Sequence, residues 1–133
     1  MNERILLVDD DPFILQAFQR SLRKRFNIET AFGPEEGLKA IMGNDTYAVI
    51  VSDLNMPDMD GVEFLKQAKI LSPDSVRVLL TGSEVGSQNY DELVPDLIFS
   101  SHSKLDSNEE FVKVLAEGLE LFNSIKENTT IQP

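Results

Sequence analysis

With 133 residues, 41% of them hydrophobic, the chain suits one compact domain with a sizeable core and leaves no room for a second. Lys+Arg 12 against Asp+Glu 23 give a net charge of −11, which opposes binding of nucleic acid or an anionic membrane and favours a cation or a basic partner. The chain has no cysteine, so a disulfide framework and a thiolate metal site are excluded, and no apolar run approaches a membrane span of about 20 residues. Asp9 to Asp11 interrupt the only early apolar stretch, so no signal peptide is expected and the expected location is the cytoplasm.

Arg4 to Val8, "RILLV", is a β-branched and leucine-rich run that reads as a buried strand. Asp11-Pro12 then opens an amphipathic helix with Phe13, Ile14, Ala17, Phe18, Leu22 and Phe26 on one side. A second strand is expected near Asn27 to Ala31, and Gly33-Pro34 starts a helix through Leu38 and Ile41. Tyr47 to Ser52, "YAVIVS", is a continuous apolar strand. Next come a helix from Gly61 to Leu71, a strand from Val76 to Leu80 and a weak helix near Gln88 to Leu93. A fifth strand is expected around Leu97 to Ser100, and a closing helix from Asn108 to Phe122. The segment Lys126 to Pro133 is polar and lacks periodicity, so a domain over residues 1–125 is expected, followed by a frayed tail or the start of a linker at 126–133.

Five β-then-α units imply a doubly wound parallel sheet with helices on both faces, because parallel crossovers must pass over a face and do so right-handedly. In such sheets ligands bind outside the carboxyl ends of the strands. Those ends carry Asp9, Asp10 and Asp11 after strand one, Asp53 after strand three, and Thr81-Gly82 after strand four. Two like charges about 4 Å apart repel by roughly 4 kcal/mol at an effective dielectric near 20, so the acidic cluster needs compensation. Asp11 precedes Pro12, the usual arrangement of a helix N-cap before proline at N1. Asp9, Asp10 and Asp53 suit a hard cation such as Mg²⁺, which takes a few carboxylates, keeps waters and often shares a phosphate.

The loop Leu54-Asn55-Met56-Pro57-Asp58-Met59-Asp60-Gly61 combines an extended Met-Pro approach with an Asp-Gly turn. Taken together and in this order, "ILLVDDDP", "VSDLNMPDMDG" and "VLLTG" resemble the receiver domain of two-component response regulators. The resemblance implies a flavodoxin-like five-stranded sheet of order 2-1-3-4-5. It implies that Asp53 is the phosphoacceptor, which takes a phosphoryl group from a phosphohistidine of a sensor histidine kinase or phosphotransfer protein. By the same resemblance Asp10 is a direct Mg²⁺ ligand, Asp9 acts through water, and Asn55 offers its backbone carbonyl. Thr81 supplies the hydroxyl that meets the phosphoryl group, while Gly82, Ser83 and Asn55 tune access to it.

Receiver domains also carry an aromatic residue on strand five, then two residues, then Lys-Pro. Here the region reads Phe99-Ser100-Ser101-His102-Ser103-Lys104-Leu105, without Lys-Pro. Counted from Phe99 as the switch aromatic, the lysine position falls on His102. Counted back from the closing helix, it falls on Lys104, which leaves Ser101 in the aromatic position. An ammonium remains charged at pH 7, whereas a histidine of ordinary pKa mostly does not. The leading expectation is therefore a phosphorylatable switch that catalyses its own aspartyl phosphorylation and slow dephosphorylation. The alternative is a pseudo-receiver that binds protein without being phosphorylated. An aspartyl-phosphate hydrolase would need a second acid two positions after the nucleophile, where Asn55 stands. The downstream effector and any homodimer are left open by the sequence.

Overall fold

The computed structural model describes residues 3–43, 46–82, 90–104 and 107–131. Five strands, β1 (Arg4–Asp9), β2 (Asn27–Phe32), β3 (Val49–Asp53), β4 (Val76–Thr81) and β5 (Ser100–Ser103), form one sheet of order β2-β1-β3-β4-β5. All four pairings are parallel. The sheet is therefore the doubly wound one expected, with its order reversing between β1 and β3, where a ligand crevice forms. Between strands run α1 (Pro12–Leu22), α2 (Gly33–Gly43), α3 (Gly61–Leu71) and α4 (Tyr90–Leu93), and α5 (Asn108–Ile131) closes the fold.

The period-2 alternation of each strand divides the core into two layers. Ile5, Leu7, Val49, Val51, Val78 and Leu80 meet α1 and α5 on one face, around Phe111 and Leu115. Leu6, Val8, Ile50 and Leu79 meet α2 and α3 on the other, around Phe64 and Leu65. Phe64 and Phe111 are among the largest fully buried side chains, and removing each ring from water stabilises the fold by about 1.5–3 kcal/mol. Both layers pack against β1 and β3, which lie between them. Every residue of β3 is buried, including its terminal Asp53.

Two elements depart from the sequence expectation. The fifth strand begins three residues later than its apolar signal, at Ser100 rather than Leu97. Leu97 and Ile98 are buried, but they lie in a turn whose N–H groups bond the Val94 carbonyl at 3.0 and 2.9 Å, so their apolar character reflects core packing and not strand pairing. The half-buried Arg77 holds that turn by donating Nε–H to the Leu97 carbonyl at 2.7 Å. At the other end of the domain, α5 continues through Lys126 to Ile131, over most of the segment expected to be a frayed tail. The helix expected to start near Gln88 begins its described part at Tyr90, and Ser83 and Gln88 lie outside the described residues.

Candidate functional site

The site forms where β1 and β3 end side by side. Val8 pairs with Ser52, so the next residues, Asp9 and Asp53, leave adjacent strands at the same level. Asp9 and Asp53 are buried and Asp10 is half-buried, and each offers a carboxylate oxygen within 4.8 Å of the others. Asp11 leaves this cluster. Its side chain caps α1 by accepting the Phe13 N–H at 2.9 Å, with Pro12 at the first helical position, as the Asp-Pro pair implied. The Asp11 N–H in turn donates to Asp9 Oδ1 at 2.9 Å and fixes the orientation of that carboxylate.

The loop that follows Asp53 is held by backbone geometry. Leu54 N–H bonds the Leu80 carbonyl at 2.8 Å, and Gly61 N–H bonds the Leu54 carbonyl at 2.8 Å. A Cβ on Gly61 would stand 2.3 Å from the Asp53 carbonyl oxygen, so only glycine lets α3 begin this close to the acidic strand end. Asp60 caps that helix by accepting the Glu63 N–H at 2.9 Å. Between them, Asp58 adopts φ 72° while Met59 N–H bonds the Pro57 carbonyl at 2.8 Å, a tight turn with a left-handed central residue. Asn55 is exposed at the start of this loop, two residues beyond Asp53.

The cation comes from the opposite side. Thr81, buried at the end of β4, pairs with Ser103, and the Thr81 carbonyl accepts the Lys104 N–H at 2.9 Å. Lys104 thus sits one residue past β5, and its Nζ lies 3.0 Å from both Asp9 Oδ2 and Asp53 Oδ1. Of the two candidates for the lysine position, the one counted back from the closing helix joins the acids. His102 does not. Its pairing with Leu80 turns it to the α5 face, where it is buried and its ring stacks on Phe111 at 5.0 Å. Phe99 is also displaced from its expected place. Its N–H bonds the Arg77 carbonyl at the start of β5, so four residues, about 13 Å at strand rise, separate its level from that of Thr81. Ser101 stands three residues before Lys104, opposite Leu79.

Burial pushes the Asp9 carboxyl above its ordinary value. Lys104 and the Asp11 N–H pull the other way without cancelling that effect, and the Asp53 charge adds to it. For Lys104 burial opposes the charge, but hydrogen bonds to Asp53 and Asp9 outweigh it and hold the ammonium above the ordinary lysine range. With all groups ionised, three carboxylates face one ammonium, which leaves two negative charges to be met. Asp9 Oδ2 is buried, and the Lys104 ammonium 3.0 Å away is the cation it meets among the described residues. Hard oxygen donors of this number, converging within 4.8 Å with two negative charges unmet, fit a small divalent cation that retains several waters. Chemically the site can hold such a cation, present Asp53 as an oxygen nucleophile and place a positive charge beside it.

A doubly wound sheet of this order, with an acidic crevice at its switch point and a lysine across it, defines a CheY-like signalling class. The chain belongs to the response regulator receiver domain family, whose sequence model matches residues 5–94. It is 29% identical over 126 residues to the hydrogenase transcriptional regulatory protein HoxA of Bradyrhizobium diazoefficiens, covering 95% of this chain and 26% of that protein. It is 35% identical over 80 residues to the cell cycle response regulator CtrA of Brucella ovis, covering 59% of this chain and 34% of that protein. The chain thus spans only about a quarter to a third of the length of these two relatives. A solved receiver domain protein, CheY-like, from Methanospirillum hungatei superposes with a TM-score of 0.81 at 25% identity, covering 93% of this chain and 98% of that one. A structure described as adenylate cyclase from Rhodopirellula baltica superposes with a TM-score of 0.88 at 29% identity, covering 98% of this chain and 97% of that one.

Proposed function

We propose that this receiver domain is an active phosphoacceptor, with Asp53 as the nucleophile. An Asp53 carboxylate oxygen attacks the phosphorus of a phosphohistidine on a histidine kinase or phosphotransfer protein. The new P–O bond forms as the P–N bond to the imidazole breaks. Phosphoryl transfer asks little covalent work of a protein beyond alignment and charge neutralisation. Asp10, Asp53 and the Asn55 backbone carbonyl would hold Mg²⁺, with Asp9 acting through water, and the ion would neutralise charge on the transferred oxygens. Thr81 presents its hydroxyl to the phosphoryl group, Gly82 leaves that approach open, and Lys104 swings from the two carboxylates onto the phosphoryl oxygens.

The observation that carries this reading is the Lys104 ammonium at 3.0 Å from both Asp9 and Asp53. The absence of Lys-Pro favours a pseudo-receiver, and a lysine beside the two buried acids weighs against it. No helix among the described residues is long and apolar enough to cross a membrane, in keeping with a cytoplasmic site of action. The phosphodonor and the effector are left as classes, a histidine kinase or phosphotransfer protein and a downstream domain or protein. The test is intact-mass measurement after incubation with Mg²⁺ and acetyl phosphate. The wild type gains one hydroxylamine-sensitive phosphoryl group and Asp53→Asn gains none. Failure of the wild type to gain that mass, under conditions that label another receiver domain, returns the pseudo-receiver.

A further inference from the structure

The most concentrated positive charge in the molecule lies away from the acidic site. Arg20, Arg23, Lys24 and Arg25 hold 4 of the chain's 12 basic residues within six positions at the end of α1. All four are exposed, and none is in an ion pair with a described residue. Cations near a helix C-terminus complement its dipole, but that effect is confined to the last turn and is satisfied by one or two charges. Here the charges flank a groove. A cavity of about 590 Å³ runs between α1 and β2, lined by Arg20, Arg23, Gln19, Leu15, Thr30 and Phe32 among others. A second, of about 380 Å³, continues from it past the shared Gln19 and Arg23 to Lys24 and Arg25.

One wall of this groove is a sheet edge, closed at its Phe32 end where Glu36 Oε1 accepts the Phe32 N–H at 3.0 Å and open before it. β2 is the outermost strand, paired with β1 alone. Edge strands are normally blunted by lysine, proline or a bulge. The strand "NIETAF" carries none of the first two, runs in unbroken register with β1, and leaves Thr30 and Phe32 exposed on the α1 side. Inside the groove the Gln19 side-chain oxygen is buried without a hydrogen-bond partner among the described residues. We propose that this edge and the α1 basic patch form a docking site for an extended acidic segment of a partner protein, which adds to the sheet beside β2. The strand edge supplies main-chain pairing, and the arginines select carboxylates at one end. Phe32 and Leu15 meet an apolar side chain at the other.

Two other occupants fit less well. A second copy pairing edge to edge would bring its own uncompensated basic patch toward this one. Nucleic acid would meet the patch at the cost of a chain whose net charge is −11, and has no use for an open strand edge.

The probe is a ¹⁵N-labelled wild-type chain titrated with a peptide of about 8 residues alternating glutamate and valine, a length matched to a strand. Amide shifts are expected to cluster in the second half of α1 and along β2. Arg20→Gln with Arg23→Gln is expected to weaken binding at least about tenfold, roughly 1.4 kcal/mol, while leaving acetyl phosphate labelling of Asp53 unchanged. N-methylation of alternate peptide residues is expected to abolish the shifts along β2. Equal binding of a lysine–valine peptide, equal binding after the arginine substitutions, shifts centred elsewhere, or tighter binding of a single-stranded oligonucleotide would each overturn the proposal. A peptide-independent dimer buried at β2 would overturn it in favour of a second copy. Because the readout is peptide binding and not phosphorylation, its failure is distinct from failure of the phosphoacceptor reading.

Discussion

The two sides of the acidic site at the ends of β1 and β3 are built from different material. Asp9, Asp10 and Asp53 end or follow β1 and β3, central strands covered on both faces, and Asp9 and Asp53 are themselves buried. Lys104 follows β5, a four-residue polar strand at the sheet edge. The acidic side is thus fixed by packing, while the cationic side hangs from an edge strand through one long and flexible side chain. That division suits a switch. In the proposed reading, the groups that would hold the metal and attack phosphorus need fixed geometry, and the group that would read the phosphoryl charge needs to move.

The largest expected effect tests how firmly the acidic side is fixed. Gly61→Ala would place a methyl 2.3 Å from the Asp53 carbonyl oxygen. The backbone at the head of α3 must then shift, at about 3 kcal/mol or more for a forced overpacking against main chain. A chemical denaturation midpoint measures it, and a cost below about 1 kcal/mol would mean that the strand end is less rigid than its burial implies.

A smaller effect separates neighbouring acids by role. Asp10→Asn is expected to lower Mg²⁺ affinity by about two orders of magnitude, or about 2.7 kcal/mol. Asp11→Ala leaves metal affinity within about twofold and costs about 1 kcal/mol of stability, as loss of an N-cap does. Calorimetric titration of Mg²⁺ beside thermal unfolding gives both numbers. Equal loss of affinity in the two variants would break the assignment of Asp11 to the helix cap.

The smallest effect concerns the far end of the same central strands. Tyr47 donates its hydroxyl hydrogen to Glu29 Oε1 at 2.7 Å, Arg4 pairs with the same carboxylate, and the Arg4 guanidinium stacks 4.5 Å over the Tyr47 ring. Burial, then the Glu29 hydrogen bond and charge, push the Tyr47 phenol from 10.0 up to about 12. The folded chain therefore keeps its proton where the unfolded chain loses it, and this contribution to stability is full below pH 10.0 and falls as pH rises toward about 12. Absorbance titration of the wild type against Tyr47→Phe isolates the transition. A Tyr47 transition near 10 would show that this end is open to solvent.

The central strands were legible because burial on both faces forces continuous apolar runs, and "RILLV" and "YAVIVS" leave little choice of register. Their terminal acids followed from the register, and the capping role of Asp11 followed from its place before Pro12. β5 was misplaced by its neighbours. Leu97 and Ile98 carry the apolar signal while the paired residues are Ser100 to Ser103, since an edge strand this short contributes little core. That slip is why Phe99 drew attention as the switch aromatic and why His102 competed with Lys104. The tail was read as frayed or the start of a linker because Lys126 to Pro133 are polar and lack periodicity. There α5 is held partly by local contacts, such as the Lys126 ammonium 5.4 Å from the Phe122 ring centre, which leave no apolar pattern.

The claim that Lys104 completes the site is tested most directly by amide shifts on adding beryllofluoride, a phosphoryl mimic, with Mg²⁺. Wild type, Lys104→Ala and His102→Ala would be compared at about pH 6 and about pH 8, either side of an ordinary histidine pKa. Lys104 is held above the ordinary lysine value of 10.5, so its charge is present at both pH values and lost only as pH rises through that raised value. The expected result is a wild-type response that does not change between the two pH values. His102→Ala should retain it, and in Lys104→Ala the shifts along β4 and β5 should shrink while those at Asp10 and Asp53 persist. An undiminished response in Lys104→Ala, or a wild-type response that strengthens at the lower pH and vanishes in His102→Ala, would contradict it.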